Sequence, residues 1–289
     1  MTQQPQKKPG WLKKRLPTGP AYENVKNLIG KDRLHTVCQE AKCPNIWECY
    51  SQRTATFLIL GSRCTRNCRF CSVAQGPTGP PDPAEPARVA EAARQMALKY
   101  VVVTSVTRDD LADGGASYFA KTIFEIRRQI PAALIEVLIP DFQGDADALQ
   151  TVVNARPDVL NHNIETVPRL YTLVRPQARY ERSLHLLERV RSLNPKIPTK
   201  SGLMLGLGET SAEIRSTLND LVNVGCRILT LGQYLQPSKT HLPVKRFVPP
   251  EEFDQWRQTA IEMGFWEVAS GPFVRSSYHA RELFQEVKK

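Results

Sequence analysis

The chain has 289 residues, of which 41% are hydrophobic and 24% charged, the proportions of a soluble globular protein with room for one sizeable α/β core. No apolar run approaches the ~20 residues of a membrane helix, and Met1 to Arg15 is polar and basic without the hydrophobic segment of a secretory signal, so a cytoplasmic protein with no membrane partner is expected. The net charge of +10 suits an acidic partner, but no zinc-finger spacing, RNP-like motif or Arg/Gly-rich segment marks a nucleic-acid binder. The basic residues Lys7, Lys8, Lys13, Lys14 and Arg15 read as a solvated tail.

Up to Arg53 there is little periodicity, and the segment reads as an irregular N-terminal extension with a short helix near Tyr22–Ile29. From Ala55 onward short apolar runs predict strands at Ala55–Leu60, Tyr100–Ser105, Leu134–Ile139, Asp158–His162, Lys200–Leu205 and Arg227–Leu231. They are continuous rather than alternating, as in parallel strands covered on both faces. Between them lie helical periods: Phe119, Ile123, Ile126 and Ile130; Leu184, Leu187 and Val190; Ile214, Leu218, Leu221 and Val222. Thr210-Ser211 with Glu213 forms a helix start. Six strand–helix units imply a parallel sheet but are too few for a closed eight-stranded barrel. The expected fold is α/β, a partial (βα)6 TIM-like barrel over 54–235, flanked by an N-terminal extension (1–53) and a C-terminal extension (236–289) that closes the active site. In the latter a helix near Glu251–Met263 leads into Gly264-Phe265-Trp266-Glu267-Val268 and a polar end. There is no internal repeat and no low-complexity tract.

Six of the seven cysteines fall between Cys38 and Cys71. A disulfide scaffold would be short, secreted and richer in cysteine, whereas clustered thiolates in a reducing compartment indicate zinc, copper(I) or iron–sulfur. Cys64-x3-Cys68-x2-Cys71 begins four residues after the first predicted strand, on the face where parallel α/β barrels place their active sites. Three thiolates on one loop hold three irons of a cubane and leave the fourth open to substrate, whereas ferredoxins use four cysteines per cluster and structural zinc takes four ligands. The other triplet, Cys38-x4-Cys43-x5-Cys49, is less specific. With His35 nearby, a Cys3His zinc site stays open beside a second cluster. Cys226 opens a predicted strand and reads as a buried structural thiol.

The string Cys64-Thr65-Arg66-Asn67-Cys68-Arg69-Phe70-Cys71 resembles the signature of the radical S-adenosylmethionine (SAM) superfamily. Further stretches resemble the lipoyl synthase family within it. They are His35-Thr36-Val37-Cys38, Cys43-Pro44-Asn45, Glu48-Cys49, Thr104-Ser105-Val106, Arg108-Asp109-Asp110-Leu111, Asp113-Gly114-Gly115-Ala116, Glu136-Val137-Leu138, Pro140-Asp141-Phe142, Asn161-His162-Asn163-Ile164-Glu165-Thr166-Val167, Ser201-Gly202-Leu203-Met204, Gly206-Leu207-Gly208-Glu209, Gly232-Gln233-Tyr234-Leu235 and Arg275-Ser276-Ser277-Tyr278. The resemblance covers nearly the whole chain beyond residue 10. Two positions depart from it: Thr107 stands where an acidic residue is expected, and Arg53 replaces a glycine.

The resemblance implies two 4Fe-4S clusters. Cys64, Cys68 and Cys71 would hold the one whose open iron is chelated by the amino and carboxylate groups of SAM, so that reductive cleavage yields a 5′-deoxyadenosyl radical. Cys38, Cys43 and Cys49 would hold an auxiliary cluster, completed by Ser277 with Ser276 as the second choice. An alkoxide is a poorer partner for this cluster than a thiolate, so that corner would be labile, and Arg275 would favour the alkoxide or seal the site. Without the resemblance, Ser276 to Tyr278 would read as a C-terminal turn. Phe70, Thr104, Ser105, Asn163, Glu165, Arg175 and Met204 would line the SAM site. On residue type alone Asn163 and Glu165 also suit helix capping, Arg175 a surface position, and Phe70 and Met204 the core. The implied reaction is insertion of two sulfur atoms at C6 and C8 of a protein-bound octanoyl-lysine, with the auxiliary cluster as sulfur source. The implied partners are octanoylated lipoyl carrier domains, such as the glycine cleavage H protein or the E2 component of 2-oxoacid dehydrogenases, and an electron donor such as ferredoxin or flavodoxin. Carrier domains are often acidic, in keeping with the basic chain. Two competitors remain. A radical SAM methylthiotransferase would normally add an RNA-binding or second cluster domain, and nothing in the sequence supplies one. A zinc or electron-transfer protein would not cleave SAM.

Overall fold

The computed structural model describes residues 8–13 and 20–287. Of the basic tail, Lys7, Lys14 and Arg15 lie outside the described residues. In chain order the elements are α1 (Pro20–Lys31), β1 (His35–Thr36), α2 (Val37–Glu40), α3 (Ile46–Ser51), β2 (Thr56–Ile59), β3 (Arg63–Cys64), β4 (Ala74–Gln75), α4 (Glu85–Gln95), β5 (Tyr100–Ser105), α5 (Ala116–Gln129), β6 (Leu134–Leu138), α6 (Ala146–Asn154), β7 (Val159–Asn161), α7 (Tyr171–Val174), α8 (Tyr180–Leu193), β8 (Thr199–Leu205), α9 (Ser211–Asn223), β9 (Ile228–Gln233), α10 (Pro250–Glu262), β10 (Glu267–Gly271) and α11 (Ala280–Val287).

One eight-stranded sheet runs β1-β2-β5-β6-β7-β8-β9-β10, so neighbours in space are neighbours in sequence apart from the small β3–β4 pair. All pairs from β2 to β10 are parallel, with Thr56 opposite Val102, Tyr100 opposite Leu134, Leu160 opposite Thr199 and Lys200 opposite Ile228. This is the partial TIM-like barrel expected from the apolar runs. Each run lies buried between the barrel interior and a helix, so neither of its faces alternates to polar. Thr210 and Glu213 form a reciprocal capping box at the start of α9, as the sequence indicates.

The extensions are more regular than their sequences suggest. The N-terminal one contains α1, whose Tyr22, Val25 and Ile29 are buried, two short helices carrying cysteines, and β1, which pairs antiparallel with β2. Helices of four and six residues are too short to display a period. Arg53, the residue in place of a glycine, has φ of +54°, a left-handed conformation that a glycine adopts without strain. The C-terminal extension adds β10, a seventh parallel strand beside β9, and α11, whose Ala280 and Phe284 pack on Tyr100, Val102, Val159 and Ile228. Helix α4 has no distinct apolar stripe because its buried face is small: Val89, Ala90, Ala92 and Ala93.

A fully buried ion pair lies within the sheet. Lys200 Nζ donates to both carboxylate oxygens of Glu136, at 2.9 and 3.1 Å. Tyr100 Oη donates to the same carboxylate at 2.7 Å, and Asn161 Nδ2 at 3.2 Å. Buried charges persist only when paired and hydrogen-bonded, and Glu136 receives four donor contacts. Its charge also pushes the Tyr100 phenol, already raised by burial, further above its ordinary pKa.

Candidate active site

At the C-terminal ends of the strands lies a cavity of about 560 Å³. Its walls include Cys38, Cys43 and Cys49 on one side, Cys64, Cys68 and Cys71 on another, and Phe70, Thr104, Ser105, Asn163, Glu165, Arg175, Met204, Arg275, Ser276 and Ser277 between them. Every residue that the resemblance implies for a cluster or for SAM therefore faces one space. Lys8, read from the sequence as part of a solvated tail, also lines the cavity. Cys226 is fully buried and belongs to the main core, as expected.

The loop bearing Cys64 to Cys71 is pinned from four directions. Strands β3 and β4 close its base, with Cys64 opposite Gln75. Backbone N–H groups of Arg66 and Thr107 donate to Cys64 Sγ at 3.4 and 3.3 Å. Thr107 contributes through its backbone there, which explains why its side chain can depart from the family pattern. From the C-terminal extension, His241 Nε2 meets the carbonyl of Cys71 at 3.0 Å and Leu242 N–H donates to Arg69 O at 3.2 Å.

The fourth anchor is Arg66, buried inside the loop. Its guanidinium grips Asp109 at 2.7 and 2.9 Å and Asp141 at 2.5 Å, tying the loop to the ends of β5 and β6. Sequence reading passed over this clamp, although Arg66 lies within the cysteine string and Asp109 and Asp141 within two of the quoted motifs. Burial alone would raise the Asp141 carboxyl, but the bonds to Arg66 and its charge hold it at about 2, against an ordinary 3.8. A depressed carboxyl contributes stability that is complete above 3.8 and is lost only as pH falls toward 2, so for this group the native protein is insensitive to pH from 5 to 7. Arg66→Met should lose about 2 kcal/mol at pH 7. Its deficit should shrink toward pH 5, because Asp141 then takes up a proton in the folded state. Urea unfolding at pH 5 and pH 7 checks this, and an unchanged midpoint at pH 7 would contradict it.

Beside the loop is a polar wall. Asn163 Nδ2 donates to Glu165 Oε1 at 3.0 Å and to Ser276 Oγ at 2.6 Å. The short helical turn that follows has Val167 as its N-cap with no side-chain cap, so neither residue serves as a helix cap. Arg175 is not a surface residue; it is buried against the Tyr171 ring, 5.3 Å from the centroid. Asn163 Oδ1, Ser105 Oγ and Arg175 Nε are buried with no hydrogen-bond partner. Burial raises the Glu165 carboxyl, and the charge of Arg175 works against that rise. Phe70 and Met204, partly buried, pack on Val167, Leu170, Val174, Leu207 and Tyr234 to form an apolar wall.

The first cysteine triplet and the C-terminal segment are brought together by tertiary contacts. Asn45 Nδ2 donates to Phe273 O, and Tyr278 Oη donates to Glu48 Oε1, both at 2.7 Å. Thus Glu48, beside Cys49, is held against the residue after Ser277. Gly232 passes so close to Val274 O that a Cβ there would collide with it. Arg275 Nη1 donates to the Val274 carbonyl at 2.6 Å. Burial lowers its pKa while the nearby Cys43 and Glu165 oppose that shift. His35 does not line the cavity; its Nδ1 lies 3.1 Å from Glu40. Among the described residues no three His, Cys, Asp or Glu side chains converge on a single-ion site. The place of His35 outside the cavity that the three cysteines line disfavours the Cys3His zinc alternative, because zinc ligands converge on one atom. Burial pushes the Cys38 and Cys71 thiols up to about 12, so it is a metal that must draw off their protons. The donor set and the unpartnered polar atoms fit a thiolate-held cluster with an amino-acid-bearing ligand beside it.

A parallel partial barrel with a Cys-x3-Cys-x2-Cys loop beyond its first parallel strand defines a radical SAM protein, and the radical SAM superfamily pattern matches residues 58–221. The pattern for the N-terminal domain of lipoyl synthase matches residues 2–43. The lipoyl synthase of Desulfotalea psychrophila is 58% identical over 97% of this chain and 94% of its own length. That of Chlorobaculum parvum is 54% identical over 100% and 99%. This chain belongs to the lipoyl synthase family. Solved structures share the fold at low identity. SuiB of Streptococcus suis bound to S-adenosylmethionine superposes with a TM-score of 0.56 at 9% identity, over 83% of this chain and 51% of that one. Coproporphyrinogen III oxidase of Escherichia coli, a radical SAM enzyme, gives 0.54 at 14%, over 78% and 57%. This chain thus spans little more than half of either structure. As a family member it is a radical SAM enzyme, for which a 4Fe-4S cluster and SAM are implied. No helix among the described residues is long and apolar enough to cross a membrane.

Proposed function

We propose that this enzyme inserts two sulfur atoms, at C6 and C8, into an octanoyl chain carried on a lysine of a lipoyl carrier domain. The observation that carries the proposal is the facing of both cysteine triplets and the Arg275–Tyr278 segment onto one cavity. A 4Fe-4S cluster on Cys64, Cys68 and Cys71 supplies, when bound and reduced, the electron that cleaves SAM, and a second cluster on Cys38, Cys43, Cys49 and Ser277 supplies sulfur. Each insertion replaces one C–H bond by C–S, so two SAM and two sulfurs are consumed per octanoyl group.

The protein's own residues do the positioning. Arg175 offers its unpartnered Nε to the SAM carboxylate. Asn163 Oδ1 and the Glu165 carboxylate accept from the amino group or ribose, Ser105 and Thr104 contact the same ligand, and Phe70 and Met204 enclose adenine. Ser276 is engaged by Asn163, which favours Ser277 as the fourth ligand of the second cluster. Arg275, with no carboxylate bonded to it among the described residues, steadies the Ser277 alkoxide and excludes water. An acidic carrier domain, of the glycine cleavage H type or the 2-oxoacid dehydrogenase E2 type, docks on the basic surface, with ferredoxin or flavodoxin as electron donor. Residues 1–53 contribute the second cluster's cysteines, 54–235 the SAM barrel, and 236–289 the closing segment.

The test is anaerobic turnover of reconstituted protein with SAM, dithionite and an octanoyl-lysyl peptide, read by mass spectrometry. A product with two added sulfurs and 5′-deoxyadenosine is expected. Ser277→Ala should still form 5′-deoxyadenosine while sulfur insertion falls by at least about a hundredfold, the upper end of what losing a mere outer-shell partner of a metal ligand costs. Deoxyadenosine without sulfur insertion by the native protein would move the substrate elsewhere.

A further inference from the structure

Arg175 is an unusual cation. It is buried, it lines the cavity, and among the described residues it makes no hydrogen bond to a carboxylate and its Nε has no partner. Its contacts to oxygen all run through Nη1: to Asn163 O at 2.9 Å, Ile164 O at 3.5 Å and Tyr171 Oη at 2.8 Å. A buried guanidinium with three neutral acceptors on one nitrogen takes its orientation from their geometry, while Glu165 acts on its charge from nearby without a hydrogen bond to it.

Behind Tyr171 a line of buried polar groups continues. Tyr171 Oη is 2.9 Å from Ser183 Oγ. Ser183 Oγ is 2.9 Å from His162 Nε2, and His162 Nδ1 is 2.9 Å from the carbonyl of Ile139. The direction of every bond is set by its ends. Ile139 O can only accept, so Nδ1 carries the proton. His162 is neutral, because burial and then the charge of Arg175 lower its pKa to about 4, so Nε2 accepts. Ser183 must donate to it, Tyr171 must donate to Ser183, and the phenol oxygen is left to accept from Arg175. Each hydroxyl donates once, and no bond in the line can be reversed without breaking another.

We propose that His162, Ser183 and Tyr171 form a one-way hydrogen-bond chain that positions Arg175, so that its Nε meets the carboxylate of bound SAM. This rests on the reading of Arg175 as the carboxylate-binding residue. The three are positioning residues: none lies between Arg175 and the ligand. The chain anchors the side chain of Arg175, the C-cap of α7, to α8 through Ser183 and to the ends of β6 and β7 through Ile139 and His162. It makes the Arg175 rotamer a property of the barrel and not of a short loop.

The experiment measures the Kd of SAM by equilibrium dialysis on anaerobically reconstituted protein, with iron content and thermal midpoint recorded alongside. Tyr171→Phe keeps the ring against the guanidinium and removes only the phenol oxygen. It should weaken SAM about tenfold, the scale of a hydrogen bond to a charged group, with iron unchanged. Ser183→Ala should act in the same direction. Tyr180→Phe is the control: it removes the hydroxyl of a ring packed edge-on against Tyr171, but that hydroxyl donates to Asp220, so SAM affinity should not move. Decarboxylated SAM is the discriminating ligand, because its affinity should be insensitive to Tyr171→Phe. Equal losses for SAM and decarboxylated SAM would reduce the chain to general packing and overturn the proposal. If Arg175→Gln weakens SAM but Tyr171→Phe does not, the chain alone fails. If Arg175→Gln also leaves SAM affinity unchanged, the reading of Arg175 fails first.

Discussion

Cys68→Ala is expected to lower the iron of the reconstituted protein from about eight to about four atoms per chain and to abolish SAM cleavage. Two thiolates of three are too few to retain a cubane, and here the loop's conformation is preset by other contacts. Arg66, the β3–β4 ladder and His241 hold it in place, so the rest of the fold should survive the loss. The remaining iron should belong to the other triplet, since Cys38, Cys43 and Cys49 lie on separate elements, α2, the turn after it, and α3. The complementary variant, Cys43→Ala, should retain SAM cleavage and lose sulfur insertion. Iron analysis and 5′-deoxyadenosine formation separate the two. A Cys68→Ala protein that kept its full iron and cleaved SAM would end the assignment of this triplet.

The second large effect is on stability. Lys200→Met leaves Glu136 buried with its two neutral donors, Tyr100 and Asn161, and no cation. Removing one partner of a buried pair costs about 3–5 kcal/mol, which corresponds to a fall in apparent melting temperature on the order of 10 °C. Most of that loss is the charge left behind, so adding Glu136→Gln to the first substitution should recover a large part of it. Thermal unfolding at fixed iron content is the measurement. A single variant melting within a degree of the native protein would mean that water reaches Glu136 and that the pair is not holding the barrel interior.

Much of the barrel was readable because its strands are buried on both faces. Tyr100 to Ser105 and Thr199 to Leu205 carry continuous apolar runs, and each ends where the site begins. The SAM-cluster loop was readable for a different reason: three thiolates within eight residues form a local pattern that needs no partner from elsewhere. What escaped reading was short or small. Helices α2 and α3 have too few residues to show a period, α4 buries alanines that give little apolar contrast, and β10 takes its place as a strand only by pairing with β9. Nor does anything in the residue types distinguish a buried Arg175 from a surface one, because an arginine looks alike in both settings until its neighbours are known.

The sequence by itself determined the two cysteine triplets, the parallel strands and, through resemblance, the family, since each is encoded in contiguous residues. Tertiary structure decided how they meet. Residues 45–49 and 273–278 are more than 220 positions apart, and only the folded chain sets Tyr278 on Glu48 and Asn45 on Phe273. The same holds for Arg66 on Asp141 and for the line from Arg175 to His162. Hydrogen bonds of that kind depend on distance and direction in space, to which spacing along the chain gives no guide.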